Sequence, residues 1–284
     1  LGAAKREEIL AKNQAFAEEA LRVIGVAYRV VEKAAVDLEM ENDLIFVGLM
    51  GMIDPPRVEA KDAVAVCKTA GIQVKMITGD HKVTASAIGA QLGIESAKTV
   101  EGREINEMSD KELRECVKTT SVFARVSPEH KVRLVDAVRA NGNIAAMTGD
   151  GVNDAPSLKH ADIGVAMGIT GTDVSKEAAD MILTDDNFAS IVRAVAEGRT
   201  IYANIRKVVG FLLSCNIGEI LVLFLAMLIG FDEPLVAIQL LSINLITDAF
   251  PAFALGMEKE EAGVMDRKPR DPSEPIVNRK MVVA

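Results

Sequence analysis

Met147-Thr148-Gly149-Asp150-Gly151-Val152-Asn153-Asp154-Ala155-Pro156 is the stretch on which the reading of this 284-residue chain turns. It follows an apolar, strand-like run from Asn143 to Met147 and loosens at once into glycines, an amide and two carboxylates. Glycine lets a backbone come close to a phosphate, and two aspartates four positions apart suit a divalent cation held beside it. Gly-Asp-Gly is also ordinary turn chemistry. Ten residues in this order after a strand favour the phosphate and cation reading.

Working outward, short apolar runs alternate with helical periodicity. A helix is expected from about Lys5 to Ala20, then β-rich runs at Leu21–Val31 and Leu44–Met52. Asp54-Pro55-Pro56-Arg57 ends the second run and prepares a helix from Val58 to Ala70, stopped at Gly71. Strands are expected at Ile72–Ile77, Ser121–Ala124, Asn143–Met147, Ile163–Met167 and Met181–Leu183, with helices reaching Leu92 and spanning Pro128–Arg139. Such alternation implies an α/β fold with a doubly wound parallel sheet. Ligands of such sheets bind at the carboxyl ends of strands, where Thr78-Gly79-Asp80 and Thr148-Gly149-Asp150 both fall.

The character changes after Lys207. Val208–Phe231 and Leu235–Met257 are long apolar runs joined by the polar turn Asp232-Glu233-Pro234, each long enough to cross a ~30 Å hydrocarbon core. Arg199, Arg206 and Lys207 precede the first run, and Lys259, Arg267, Lys268 and Arg270 follow the second. The expectation is a multi-pass integral membrane protein with both ends of a transmembrane hairpin in the cytoplasm. The mean hydropathy of +0.21 beside 26% charged residues fits a membrane part averaged with a soluble part. With 41 acidic against 32 basic residues, net −9, and no tryptophan, the chain lacks the basic face and stacking platform of a nucleic-acid binder. Cys67, Cys116 and Cys215 are widely spaced and form neither a disulfide framework nor a zinc motif.

The apolar runs carry polar residues at helical spacing. Asn216 and Glu219 are three apart; Asn244, Thr247 and Asp248 stand at i, i+3 and i+4. A carboxylate at the middle of a bilayer costs about 2.5–3.5 kcal/mol on insertion scales, so Glu219 and Asp248 need a reason. Facing each other, the two sets offer hard oxygen ligands of the kind Ca²⁺ prefers. Interhelical hydrogen bonding is the other reading and suits Asn216 better than the carboxylates. Pro251 and its small neighbours are expected to loosen the second helix.

Together these motifs resemble the P-type cation-transporting ATPases, with a phosphorylation domain of haloacid-dehalogenase type, and most resemble calcium pumps of the sarcoplasmic-reticulum type. The opening run resembles the hinge and Mg²⁺ motif, Thr78-Gly79-Asp80 the second phosphate motif, and Lys131 in Arg125-Val126-Ser127-Pro128-Glu129-His130-Lys131 the charge-balancing lysine. The resemblance implies catalytic roles for Thr78, Gly79, Asp80, Lys131, Asp150, Asn153 and Asp154, with Asp150 on Mg²⁺. It implies contact with ATP for Arg22, Arg57 and Arg125, although an exposed strand arginine would look the same as Arg22. It makes Asn216, Glu219, Asn244, Thr247 and Asp248 ligands of a transported cation, Ca²⁺ first, with Mn²⁺, Na⁺ and H⁺ as the other candidates.

The implied organisation is the end of a nucleotide-binding domain at 1–50 and a cytoplasmic phosphorylation domain at 51–198. A stalk and two membrane helices (about 208–231 and 235–257) fill 199–257, and a cytoplasmic loop closes the chain at 258–284. The implied partners are ATP, membrane lipid, an actuator domain and further transmembrane helices of the same pump. One departure matters: no Asp-Lys-Thr-Gly-Thr occurs, nor any Asp-x-Asp pair. With Leu1 opening directly into helix-like sequence and no signal peptide, the chain reads as part of a longer pump, inactive alone for want of its nucleophile. The alternatives are a non-catalytic truncated membrane remnant and a membrane-anchored phosphohydrolase.

Overall fold

The computed structural model describes residues 2–30, 42–53, 55–231 and 234–277. Val31 of the expected first strand, Asp54 of the Asp-Pro-Pro-Arg run, and Asp232 and Glu233 of the expected turn lie outside them. The chain divides into two compact units: Leu1–Lys68 with Gln73–Ser190, and Thr69–Ile72 with Ile191–Ala284.

The first unit opens with helix α1 (Ala3–Glu18) and an antiparallel pair, β1 (Arg22–Tyr28) with β2 (Ile45–Met52), running from Arg22 opposite Met52 to Tyr28 opposite Ile45 with a register shift between Val26 and Ala27. Ile24, Tyr28, Ile45, Val47 and Met50 on this pair are exposed. Helix α2 (Val58–Thr69) follows the prolines. Strands and helices then alternate as β3 (Met76–Ile77), α3 (Lys82–Gln91), β4 (Thr99–Glu101), α4 (Gly102–Glu107), α5 (Asp110–Thr119), β5 (Val122–Ala124), α6 (Pro128–Ala140), β6 (Ala146–Gly149), α7 (Ala155–His160), β7 (Ile163–Met167), α8 (Asp173–Ala178) and β8 (Met181–Leu183).

All the pairings after β2 are parallel, as the alternation predicts, but the doubly wound sheet is present as two three-stranded halves in the orders β3-β5-β4 and β6-β7-β8. Strands β3 and β6 are therefore edges among the described residues. Phe123, Val100, Ile105, Leu113 and Leu134 form one core cluster, and Val135, Ala145, Met147 and Leu158 another. Ile77 packs against both, so the strands that enter Thr78-Gly79-Asp80 and Thr148-Gly149-Asp150 share one apolar floor.

Two expected strands shift for local reasons. The Ile72–Ile77 run pairs only at Met76–Ile77: before it, Gln73 and Lys75 send their side chains to the carbonyls of Lys118, Val117 and Thr120. The strand expected at Asn143–Met147 starts later and runs into the motif, because the Ala145 amide donates to Asp162 Oδ2 at 2.8 Å and not to a ladder.

The second unit is built on α9 (Phe188–Ile229), 42 residues of unbroken helix that merge the expected stalk and first apolar run. Helix α10 (Ala237–Gly256) is regular at Ala237–Ser242 and Ala249–Gly256, with a π-helical turn at Ile243–Asp248 between them. Proline 251 explains the turn. It has no N–H, and its ring crowds the carbonyl four residues back, at Thr247, so the helix widens upstream of it. Both helices are long and apolar enough to cross a membrane.

The segment after α10 is tied to the first part of α9. Arg199 donates to the carbonyls of Val264 (3.1 Å), Arg267 (2.8 Å) and Ala70 (3.0 Å), and Asn204 to that of Glu258 (2.8 Å). Lys207 pairs with Glu258 and Glu261, and the Arg270 guanidinium lies 4.0 Å from the Tyr202 ring centre. Gly71, at φ +73°, sits where a Cβ would come within 2.8 Å of Pro269.

Candidate phosphoryl-transfer and cation sites

Strand β6 delivers Gly149 and Asp150 to its carboxyl end. A side chain at Gly149 would fall 2.4 Å from Asp154 Cβ, so only glycine lets the Asp154 carboxylate fold back beneath the turn. There Asp154 Oδ2 accepts from the amides of Asp150 (3.2 Å) and Gly151 (3.3 Å), while Lys131 Nζ, from α6, bonds Oδ1. The Asp154 side chain is 8% exposed and that of Lys131 19%. Burial alone would push the Asp154 carboxyl up; the Lys131 hydrogen bond and charge, with the two amides, outweigh it and hold the group below its ordinary range.

Asp150 is left free. Its carboxylate is exposed and, among the described residues, accepts no hydrogen bond and pairs with no cation. A rigid turn presenting one uncommitted carboxylate fits a Mg²⁺ ligand. Among the described residues, no group of three or more His, Cys, Asp or Glu side chains is gathered to hold a metal. Asn153, expected beside Asp154 as a support, is exposed on the turn and makes no such bond among the described residues.

The second motif closes on itself. Thr78 Oγ1 donates to Asp80 Oδ2 (2.9 Å) and accepts from the Asp80 amide (3.1 Å). Backbone bonds join it to the loop after β5: Val126 N to Thr78 O, and Arg125 N to Asp80 O, each 3.1 Å. Arg125 holds a left-handed backbone at φ +49°, a conformation that costs a non-glycine residue and that clusters at ligand sites. A cleft of about 360 Å³ joins Arg22, Gly79, Asp80, His81, Thr84 and Arg125 with residues of α1. Arg22 and Arg125 thus share one cavity, while Arg57 is exposed ahead of α2 and does not line it.

In the apolar helices, Asn244 Nδ2 donates to Glu219 Oε2 (3.2 Å), bringing the two expected sets into contact. Asp248 is 4% exposed, and its Oδ2, like Glu219 Oε1, is buried with no hydrogen-bond partner among the described residues. The rest of the set is not gathered. Asn216 turns its amide to the Leu212 carbonyl of its own helix (2.8 Å), and Thr247 is exposed. In a wider turn, positions i and i+4 stay close and i+3 swings aside, so the expected shared face of Asn244, Thr247 and Asp248 loses Thr247.

Sequence reading missed three residues that shape the first site. Asp186 accepts from the amides of Gly168 (2.7 Å), Ile169 (3.0 Å) and Thr170 (2.8 Å). Thr172 and Ser175 reach the Asp150 carbonyl. Nothing in local sequence marks these contacts, which span 16 to 25 positions.

Residues 3–162 match the haloacid dehalogenase-like hydrolase family, and residues 232–284 match the C-terminal region of cation-transporting ATPases. The chain is 56% identical to calcium-transporting ATPase 1 of Bacillus cereus over 276 residues, 96% of this chain and 31% of the relative. It is 52% identical to a calcium-transporting ATPase of Bacillus subtilis, over 98% of this chain and 32% of the relative. An endoplasmic reticulum calcium ATPase of Aspergillus fumigatus is 50% identical over 84% of this chain and 25% of that protein. The chain therefore spans a quarter to a third of the length of these curated relatives. Free Asp150 at a strand end, Lys131 locked behind it and the two families matched along one sequence agree: the chain belongs to the haloacid dehalogenase-like hydrolases, in the line of the P-type cation-transporting ATPases.

Proposed function

We infer that the chain is the part of an ATP-driven pump that holds the phosphorylation domain and half of an ion site, exporting Ca²⁺ from the cytosol through an aspartyl-phosphate intermediate. The observation that carries it is the pair of buried, unpartnered carboxylate oxygens, Glu219 Oε1 and Asp248 Oδ2, on helices long and apolar enough to cross a bilayer. Orphaned acceptors in a low-dielectric setting are costly and call for a cation. Oxygen donors alone favour Ca²⁺ over softer metals, and the relatives, calcium-transporting ATPases by name, point the same way.

In this reading the phosphorylated aspartate belongs to an Asp-Lys-Thr-Gly-Thr segment outside these 284 residues. Its carboxylate oxygen attacks the γ-phosphorus of ATP, the bond to the β,γ-bridging oxygen breaks, and ADP leaves with the electron pair. Asp150 would hold Mg²⁺, which when bound would neutralise charge on the phosphoryl oxygens. Thr78 and the amides after it bind those oxygens, and Arg22 and Arg125 grip the nucleotide phosphates from the cleft. Lys131 adds a fixed positive charge, kept in place by Asp154. Residues 1–50 are the end of a nucleotide-binding domain, which agrees with the apolar faces that β1 and β2 leave exposed. Residues 51–198 are the cytoplasmic phosphorylation domain, 199–257 the stalk and membrane pair, and 258–284 a cytoplasmic loop. The actuator domain, further membrane helices and lipid are the missing partners.

The test is transport. Full-length protein in sealed vesicles, cytoplasmic face outward, should accumulate radioactive calcium on addition of ATP, and acid-quenched protein should carry acid-stable phosphate. The 284-residue chain alone should hydrolyse no ATP. Calcium-stimulated turnover by that chain, or ATP-driven uptake of another ion in preference to calcium, defeats the reading.

A further inference from the structure

The loop after β7 does more than connect it to α8. Its first half, Gly168–Thr170, is pinned by the three amide bonds to Asp186, and Thr170 Oγ1 adds a fourth at 2.8 Å. Its second half turns to the Mg²⁺ motif. The Thr172 amide donates to the Asp150 carbonyl at 2.8 Å. The Ser175 hydroxyl, on a residue with no exposure, donates to the same carbonyl at 3.1 Å while shared with the Thr172 carbonyl at 2.8 Å. Thr172 Oγ1 closes the ring, donating to Ser175 Oγ (3.2 Å) and accepting from the Ser175 amide (3.3 Å).

Asp150 is thus fixed at both ends of its own backbone. Its amide goes to Asp154, and its carbonyl goes to Thr172 and Ser175. Only the side chain is uncommitted. A metal ligand held this way meets its ion with little ordering left to do, and outer partners of ligands commonly tune metal affinity.

The geometry points to Ser175, with Thr172, as a positioning group that presets the Asp150 carboxylate for Mg²⁺ through the Asp150 carbonyl. This rests on the reading of Asp150 as the Mg²⁺ ligand. Plain capping of α8 would need the Thr172 hydroxyl and the Ser175 amide, but not a buried hydroxyl turned toward residue 150. Ser175 touches neither phosphate nor metal; its effect passes through Asp150.

The experiment uses full-length protein with beryllium fluoride as phosphoryl mimic, following the rise in melting temperature as Mg²⁺ is added. Ser175→Ala should move the half-saturating Mg²⁺ concentration up about fivefold, the size of one neutral hydrogen bond. Ser175→Cys, which keeps the volume and weakens the donor, should move it in the same direction. Val117→Ala, a cavity in the core far along the sequence, should lower the melting temperature and leave the Mg²⁺ midpoint where it was. If the serine variants titrate within twofold of the parent, or shift no more than Val117→Ala, the positioning role is wrong. If the parent itself shows no Mg²⁺-dependent rise, the assignment of Asp150 fails first and the positioning role falls with it.

Discussion

Removing the Asp154 carboxylate should destabilise the first unit by an amount the geometry allows one to work out. Asp154→Ala leaves the Lys131 ammonium, 19% exposed, without its partner, and two amides without an acceptor. Breaking a fully buried pair from one side costs about 3–5 kcal/mol, and the residual exposure of Lys131 lowers its share to about 2. The two amide bonds, at 3.2 and 3.3 Å, are long and add about 1 kcal/mol together. The expected loss of about 3 kcal/mol lowers the melting temperature of a unit this size by about 6–12 °C. Lys131→Met strands the carboxylate but leaves its amides, and should cost about 2 kcal/mol. Because each single change strands the other charge, the double variant should cost about 3 kcal/mol and not the sum of about 5. Calorimetry of the full-length protein and its three variants completes the cycle. A coupling below about 0.5 kcal/mol would mean that the two side chains do not act as a pair, and Lys131 would need another account.

The two sites should fail separately: in the full-length protein Asp150→Asn should abolish phosphorylation from ATP yet leave equilibrium Ca²⁺ binding within twofold, while Glu219→Gln should weaken Ca²⁺ binding at least tenfold and spare the Mg²⁺ dependence. Equal damage to both by either change would indicate misfolding. Backbone amides of Ile169, Thr170 and Gly168 hold Asp186 at about 2, from an ordinary 3.8; a lowered carboxylate stabilises fully above the unfolded value and loses that stability as pH falls toward 2. The difference in melting temperature between the parent and Asp186→Asn should accordingly be constant at neutral pH and shrink between about pH 4 and 2, where a constant gap would contradict it. Pro251→Ala restores the missing donor, so α10 should regain regular winding, reorient Asp248 relative to Asn244 and weaken Ca²⁺ binding about tenfold; a structure of the variant that keeps the π turn would refute the proline's part in it.

The sequence made the strand ends legible because chemistry and punctuation coincide there. Thr78-Gly79-Asp80 and Thr148-Gly149-Asp150 each follow an apolar run, and both lie where parallel strands finish. The stretch from Gly93 to Thr120 stayed dark. Its strand, Thr99-Val100-Glu101, is three residues long and ends in a buried acid, so it shows no alternation. The available signals were Glu101 with Glu104 and Ser109 with Glu112, acidic residues three positions after a cap, which both prove to be capping boxes opening α4 and α5. Polar residues in the apolar helices drew notice to Glu219 and Asn244, which a hydrogen bond joins. Helical spacing misplaced Thr247, because it assumes an even winding that Pro251 disturbs. The grip of Asp154 on Lys131 crosses 23 positions, and that of Ser175 on Asp150 crosses 25. Pairings of that range depend on how strands are ordered, and spacing alone does not contain them.

The length of α9 has a mechanical meaning. Forty-two residues at about 1.5 Å each make a rod of about 63 Å, roughly twice the thickness of a hydrocarbon core. Arg199 and Glu219, twenty residues apart on it, are separated by about 30 Å along the axis and by about 200° around it. A helix without a break transmits twist in phase: what turns the shaft at Arg199 turns Glu219 by the same angle. The three carbonyls that hold Arg199 then behave as a detent on a shaft, a stop whose release at one end sets the angular position of a carboxylate at the other.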